Sequence, residues 1–271
     1  MPGETLSIIG SVREVAEVER IAWQEGNLLL DRDRAKYTKM VRGSRLITFL
    51  PEATFGKATL YRASYYFIRH IDDVLDGDRN VGQDPLEYVR NLRTQIESDE
   101  FTGIPPISKL AEYSLKVLER NKKVDDNPRQ DYLDAMDQMI IDHERAKTRQ
   151  AFTMEQLEDY YYLAFKPVVN AMLIGFEAPF RAEDVKALCY CQGRLYSIKD
   201  LDKDWERGII NIPIEFLNAA GLTVNSDIKD VKSSRLLREW FGSQLKASKE
   251  DLTDLRKKLK NMVLIYHYCP A

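Results

Sequence analysis

Residues 61–78 read YRASYYFIRHIDDVLDGD, and the fold turns on how that stretch is taken. Tyr65, Tyr66, Phe67 and Ile68 lead into Arg69, after which Asp72, Asp73 and Asp76 follow at a spacing that an α-helix gathers on one face. Acids so close together repel, and a helix tolerates this badly unless water or a cation screens them. Carboxylate oxygens are also the ligands a hard divalent ion prefers, so Mg²⁺ is the first reading. A solvated helix end is the rival, because Gly77 and Asp78 resemble a terminus.

A second acidic stretch far along the chain favours the metal. In residues 198–208, IKDLDKDWERG, Asp200 and Asp204 again stand one helical turn apart, with Lys199, Lys203 and Arg207 around them. Mg²⁺ keeps much of its water and takes a few carboxylates together with substrate phosphates, so two acidic faces suit two or three ions holding a diphosphate. Loss of diphosphate from an allylic carbon leaves a carbocation, and metal with Arg or Lys stabilises the departing charge. The expected chemistry is that of isoprenoids.

Composition limits the alternatives. The 271 residues are 44% hydrophobic and contain no Gly/Ser linker or low-complexity tract, so one domain over residues 1–271 is expected. Forty basic against 43 acidic residues give a formal charge of −3, which offers no general attraction for nucleic acid. The start, MPGETLSIIG, lacks a basic segment followed by a long apolar run, and no apolar run approaches the ~20 residues of a spanning helix. A soluble, cytoplasmic protein is expected. Cys189, Cys191 and Cys269 contain no CxxC pair, which argues against a disulfide framework or zinc site, and Cys269 stands one residue too close to the end for a prenylation box. His70, His143 and His267 are scattered, so neither a histidine metal site nor a nucleophilic triad is expected.

Outward from the acidic stretch, helices dominate. From Ser11 to about Arg42 the residues Val12, Val15, Ala16, Val18, Ile21 and Ala22 share one side, with Gly26-Asn27 as a candidate interruption and Gly43-Ser44-Arg45 as a break. Ser44 and Arg45 are candidate phosphate contacts there, against the plainer reading of a helix-end turn. Pro51-Glu52 starts the next helix, with Phe55, Leu60, Tyr61, Tyr65 and Ile68 as buried candidates. Asp84-Pro85 caps a helix through about Ser98, Ile104-Pro105-Pro106 connects, and further helices run over Ser108–Asn121 and from Asn127-Pro128 through about Arg145, with Asp142 and Arg145 near the end. Thr153-Met-Glu-Gln opens a helix carrying Tyr160, Tyr161, Tyr162, Phe165, Val168, Val169 and Met172. Inside it Pro167 predicts a kink, and Lys166 is a candidate phosphate contact weighed against a solvated lysine. A helix from about Ala182 to Arg207 ends at Gly208, and Ile210–Pro213 is extended. Two or three helices fill about Asn218 to Tyr268; the last is basic at Arg256, Lys257, Lys258 and Lys260 before an apolar end, Met262 to Ile265. That end suits either packing or contact with an anionic bilayer surface. Period-two alternation is nowhere sustained, so an all-α, single-domain bundle with a central apolar cavity is expected.

These motifs resemble those of the squalene/phytoene synthases, which join two isoprenyl diphosphates head to head. Tyr65, Arg69, Asp72, Asp73, Asp76 and Gly77 match the first motif, and Lys199 (usually Arg), Asp200, Asp204, Arg207, Gly208, Ile210 and Pro213 match the second. Asp142–Thr148 and Leu157–Tyr162 resemble the middle segment, and Leu50-Pro51-Glu52 resembles the LLPE stretch. The likeness covers most of residues 40–217. It implies an isoprenoid-synthase fold, Mg²⁺ dependence, metal binding by Asp72, Asp76, Asp200 and Asp204, and diphosphate binding by Arg69, Lys199 and Arg207. Two departures stand out. Tyr196 replaces a usual Asn on the metal side, with Ser197 a substitute only on a rotated helix. A small-residue run, roughly VAGxVG, is replaced by Ala164, Phe165, Lys166, Pro167, Val168 and Val169, which implies a narrower cavity.

The expected function is therefore a Mg²⁺-dependent transferase that ionises an allylic isoprenyl diphosphate and couples it to a second prenyl chain. Asp73 joins the metal ligands in this reading, Tyr65 lies beside the substrate, and Tyr160, Phe165 and Val168 face hydrocarbon. Tyr160 is also a candidate for handling a proton, although an ordinary phenol ionises with difficulty at neutral pH. A cyclase acting on one diphosphate, favoured by Phe165, Val169 and Tyr196, is the alternative, and a non-catalytic binding or assembly protein is the third. The sequence carries no signal for NADPH, substrate length or oligomeric state.

Overall fold

Residues 2–46, 55–101 and 106–268 are described in the computed structural model, with side chains over 12–46, 56–101 and 106–260. Among them the regular structure is helical and no strand forms; an isolated parallel bridge joins Ala151 and Ile210. The expected all-α class is what the chain adopts. Leu50-Pro51-Glu52, Ile104-Pro105, Cys269 and the side chains of Phe55, His267 and Met262–Ile265 lie outside the described residues.

The helices are α1 Pro2–Arg32, α2 Arg34–Leu46, α3 Phe55–Leu75, α4 Pro85–Ser98, α5 Ser108–Asn121, α6 Pro128–Thr148 and α7 Met154–Gly175. After a 3₁₀ turn at Ala182–Val185 come α8 Lys186–Lys199, α9 Leu201–Arg207, α10 Ile214–Ala219, α11 Ile228–Ser233 and α12 Arg235–Tyr268. Their packing falls into two compact units. The first holds Met1–Met136 with Ala171–Pro179, and the second Asp137–Asn170 with Phe180–Ala271.

In the first unit, α3 packs between α1 and α5. Leu60, Tyr66, Phe67, Ile71 and Val74 are among its buried residues, Leu60 as anticipated, whereas the anticipated Tyr61, Tyr65 and Ile68 are only half-buried and lie along the stripe that leads to Asp72. Phe67 stacks on Tyr132 with ring centres 5.8 Å apart. The N-terminal run breaks at Asp33 and not at Gly26-Asn27. Asp33 caps the restart by accepting the Lys36 N–H at 2.9 Å. Gly26 lies within α1, and a Cβ there would come 2.8 Å from the Tyr66 hydroxyl, so its role is close packing. Gly43-Ser44-Arg45 likewise lies inside α2 and forms no turn. Asp84 caps α4 as expected, its carboxylate accepting the Glu87 N–H at 2.8 Å, with Pro85 in the first turn.

The second unit is built on Leu157, Tyr161, Trp205, Ile210, Ile212, Leu217, Val231, Leu237 and Trp240. Thr153 and Gln156 form the expected capping box, with N–H···O distances of 3.2 and 2.9 Å. The helix expected over 182–207 is interrupted at Asp200, where φ −99° and ψ 11° separate α8 from α9. Gly208 ends α9 at φ 88°, its N–H donating to the carbonyls of Asp204 and Trp205. A Cβ at Gly208 would lie 2.3 Å from the Ala146 carbonyl oxygen, so the turn needs glycine for space as well as for its dihedral. Among the described residues no helix is long and apolar enough to cross a membrane.

Candidate active site

Each residue of an α-helix is turned by about 100° from the one before, so two consecutive aspartates cannot point the same way. Asp72 is 37% exposed and Asp76 half-buried, but Asp73 is 1% exposed and turned into the first unit. The expectation that all three acids share one face is corrected accordingly. Arg32, at the end of α1, grips Asp73 with both terminal nitrogens, each 2.9 Å from a different carboxylate oxygen. Arg69 reaches Asp73 at 2.5 Å and Asp72 at 2.6 Å. The Tyr37 hydroxyl accepts from Arg69 at 2.8 Å and from Arg32, and both guanidiniums lie over its ring. Burial opposes the Arg69 charge, but the carboxylates of Asp72 and Asp73 outweigh it and hold its pKa above the ordinary arginine value. Its Nε is buried with no hydrogen-bond partner among the described residues.

Ser44 belongs to the packing of this unit and not to a phosphate turn. Its side chain is 3% exposed, donates to the Val41 carbonyl at 2.8 Å and shares a 2.9 Å hydrogen bond with Tyr66. Arg45 donates to Asn27 at 2.8 Å and lies over the Trp23 ring. The Tyr65 hydroxyl meets the Met40 sulfur, and burial pushes its pKa above the usual phenol value.

In the second unit a buried arginine organises the acidic segment. Arg145 is 3% exposed; it donates to Asp142 at 2.6 Å, to the Ile210 carbonyl at 3.1 Å and to the Asn211 amide oxygen at 2.6 Å. Asn211 in turn donates to the Asp204 carboxylate at 3.3 Å. Tyr160 donates its hydroxyl to Asp142 at 2.6 Å, and burial, reinforced by the Asp142 charge, raises its pKa well above that of a free phenol. Asp200 is 39% exposed, with the Lys199 ammonium 3.7 Å away, while Arg207 is half-buried. Sequence reasoning placed Asp142 and Arg145 near a helix end but missed Asn211, Arg32 and Tyr37. Asn211 was within the matched Ile210–Pro213 segment, whereas nothing in local periodicity marks Arg32 or Tyr37.

The departures from the family pattern are gathered on α7 and α8. Tyr196 is 51% exposed and stacks on Phe165 at 5.8 Å and 14°, with the Lys199 ammonium 4.9 Å from its ring centre. Ser197 is buried and hydrogen-bonded to Tyr161, so it does not stand in for the missing asparagine. Val168 is exposed while Val169 is buried, so the two do not line one surface. Lys166 is half-buried, and its charge acts on Glu183.

Among the described residues no three His, Cys, Asp or Glu side chains gather into a metal cage. Each unit instead offers two carboxylates a turn apart, Asp72 with Asp76 and Asp200 with Asp204. A sparse, all-oxygen donor set fits Mg²⁺, which completes its shell with water and substrate phosphate.

An all-helical chain with two such acidic turns belongs to the isoprenoid-synthase class of folds. The squalene/phytoene synthase family model matches residues 49–264, and the chain belongs to that family. Its members are generally prenyltransferases of isoprenoid biosynthesis that bind prenyl diphosphates and use Mg²⁺ through acidic motifs. No curated protein and no solved structure matches the chain.

Proposed function

We propose that this chain, acting as one domain across both units, is a Mg²⁺-dependent synthase that ionises an allylic isoprenyl diphosphate and joins it to a second prenyl chain. The observation that carries the reading is the fate of the acids. Asp72, Asp76, Asp200 and Asp204 stay at half-buried or part-exposed positions beside Arg69 and Lys199, and Asp73 alone in the two motifs is sunk into a core. Bound Mg²⁺ would neutralise the diphosphate and make it a better leaving group. In the first unit Arg69, and in the second Lys199 and Arg207, are the cations offered to diphosphate oxygens. Arg145, through Asn211, orients the Asp204 carboxylate. The allylic C–O bond breaks with its electron pair leaving on the diphosphate; the double bond of the second chain attacks the cation, and the new cation so formed loses a proton, with the released diphosphate as its acceptor. Tyr160 stays protonated near neutral pH and serves as a fixed polar group, not as a base.

A single-substrate cyclase is the second reading, and the Phe165–Tyr196 stack favours it by adding bulk beside the second acidic segment. Incubation with Mg²⁺ and prenyl diphosphates of increasing length, read by product mass, decides between them. A product with twice the substrate's carbon skeleton supports coupling; an unchanged carbon count supports cyclisation or elimination. Absence of diphosphate release with every substrate, together with a melting temperature indifferent to Mg²⁺ and pyrophosphate, would leave a non-catalytic binding protein.

A further inference from the structure

Arg32 lies outside every motif that carries the family likeness, yet it sits on the first of them. Asp73 receives three guanidinium contacts, two from Arg32 at 2.9 Å and one from Arg69 at 2.5 Å, and the other terminal nitrogen of Arg69 meets Asp72. A carboxylate 1% exposed and held by a two-pronged guanidinium has its charge neutralised and its lone pairs engaged. Giving it to a hydrated cation would strand the arginine charge beside it, and breaking a buried pair is costly.

We infer that Asp73 is an internal counter-ion and not a metal ligand, and that Arg32 is a positioning residue that acts through it. By neutralising Asp73, Arg32 leaves the Arg69 charge available to the diphosphate, toward which Arg69 can turn its Nη1 edge and its unpartnered Nε. Without Arg32, Arg69 becomes the sole counter-ion of a buried carboxylate and is held there at the expense of the anion. This rests on the reading that the first acidic motif binds magnesium diphosphate.

The test is calorimetric binding of inorganic pyrophosphate to the full chain at fixed Mg²⁺. Arg32→Met is expected to weaken binding roughly tenfold, and adding Asp73→Asn to restore it to within about threefold of wild type, because Arg69 is then no longer pinned. Loss of a simple anion contact, or of packing, would not be rescued by removing a second charged residue. In parallel, Asp72→Asn raises the Mg²⁺ needed for half-maximal pyrophosphate binding by roughly tenfold, while Asp73→Asn leaves it within about twofold. Should circular dichroism show Arg32→Met unfolded, Arg32→Lys carries the test, with a loss of about threefold that Asp73→Asn again reverses.

An unchanged affinity in the Arg32 variants, no rescue, or an Asp73→Asn requirement for Mg²⁺ as high as that of Asp72→Asn overturns the inference. Pyrophosphate binding with this Arg32 pattern, but no release of diphosphate from any prenyl substrate, sinks the proposed reaction and leaves the inference standing. Turnover without an Arg32 effect does the reverse, and a wild-type chain that binds no pyrophosphate overturns both.

Discussion

Arg145 shows what a single side chain holds in place. Its guanidinium serves Asp142, the Ile210 carbonyl and Asn211, and rests over the rings of Phe152 and Tyr160. Lysine cannot reproduce that fork, so Arg145→Lys leaves buried acceptors unpaired and is expected to lower unfolding stability by about 3 kcal/mol. Urea denaturation measures this, and a loss within experimental error would show the network to be dispensable. Helical spacing placed Asp142 and Arg145 near each other, as it placed Asp72 near Asp73. It could not say which stripe of a helix turns inward when both stripes carry charge. Asp73 was read as a ligand for that reason; its partner Arg32, and Tyr37, which accepts from Arg32 and Arg69, were invisible because they arrive from other helices.

At the level of elements, what was readable was whatever local chemistry decides. Asp84-Pro85 and Thr153 with Gln156 announced helix starts because capping needs only neighbours within a turn. The interruptions at Asp33 and Asp200 were missed, since the apolar periodicity runs through both. Gly26 looked like a breaker and is a packing residue, its hydrogen held close to the Tyr66 hydroxyl. Gly208 was rightly taken as a terminus, and the structure adds a reason in the Ala146 carbonyl. Gly208→Ala must both keep a positive φ and meet an oxygen 2.3 Å away, so a destabilisation of about 2 kcal/mol or more is expected. Equal midpoints for wild type and variant in urea would contradict that packing.

For the molecule as a whole, the buried phenols set the alkaline limit. Burial pushes Tyr88, Tyr132 and Tyr161 up to about 12, from an ordinary value of 10.0. Below pH 10 both folded and unfolded chains keep these protons and the stability is whole. Above it the unfolded chain releases them first, so stability falls as pH rises toward the folded values. The melting temperature should therefore decline steadily between about pH 10 and 12, with phenolate absorbance appearing together with unfolding. Ionisation of Tyr88, Tyr132 and Tyr161 at pH 10 on an intact fold, followed by residue-resolved NMR, would refute it. The all-helical class and the family were legible from two acidic motifs and the tyrosine-rich stretch between them; the grouping into two compact units was not, because α6 and α7 each run through both.

The bend at Asp33 sets Arg32 and Tyr37 on either side of one residue, and both lie upstream of residue 49, where the family match begins. A recombinant fragment trimmed to the homologous boundaries would discard these two residues along with α1 and α2. It would uncover the flank of α3 and abandon Asp73 to one arginine. The border drawn by ancestry and the border drawn by electrostatics do not coincide in this chain.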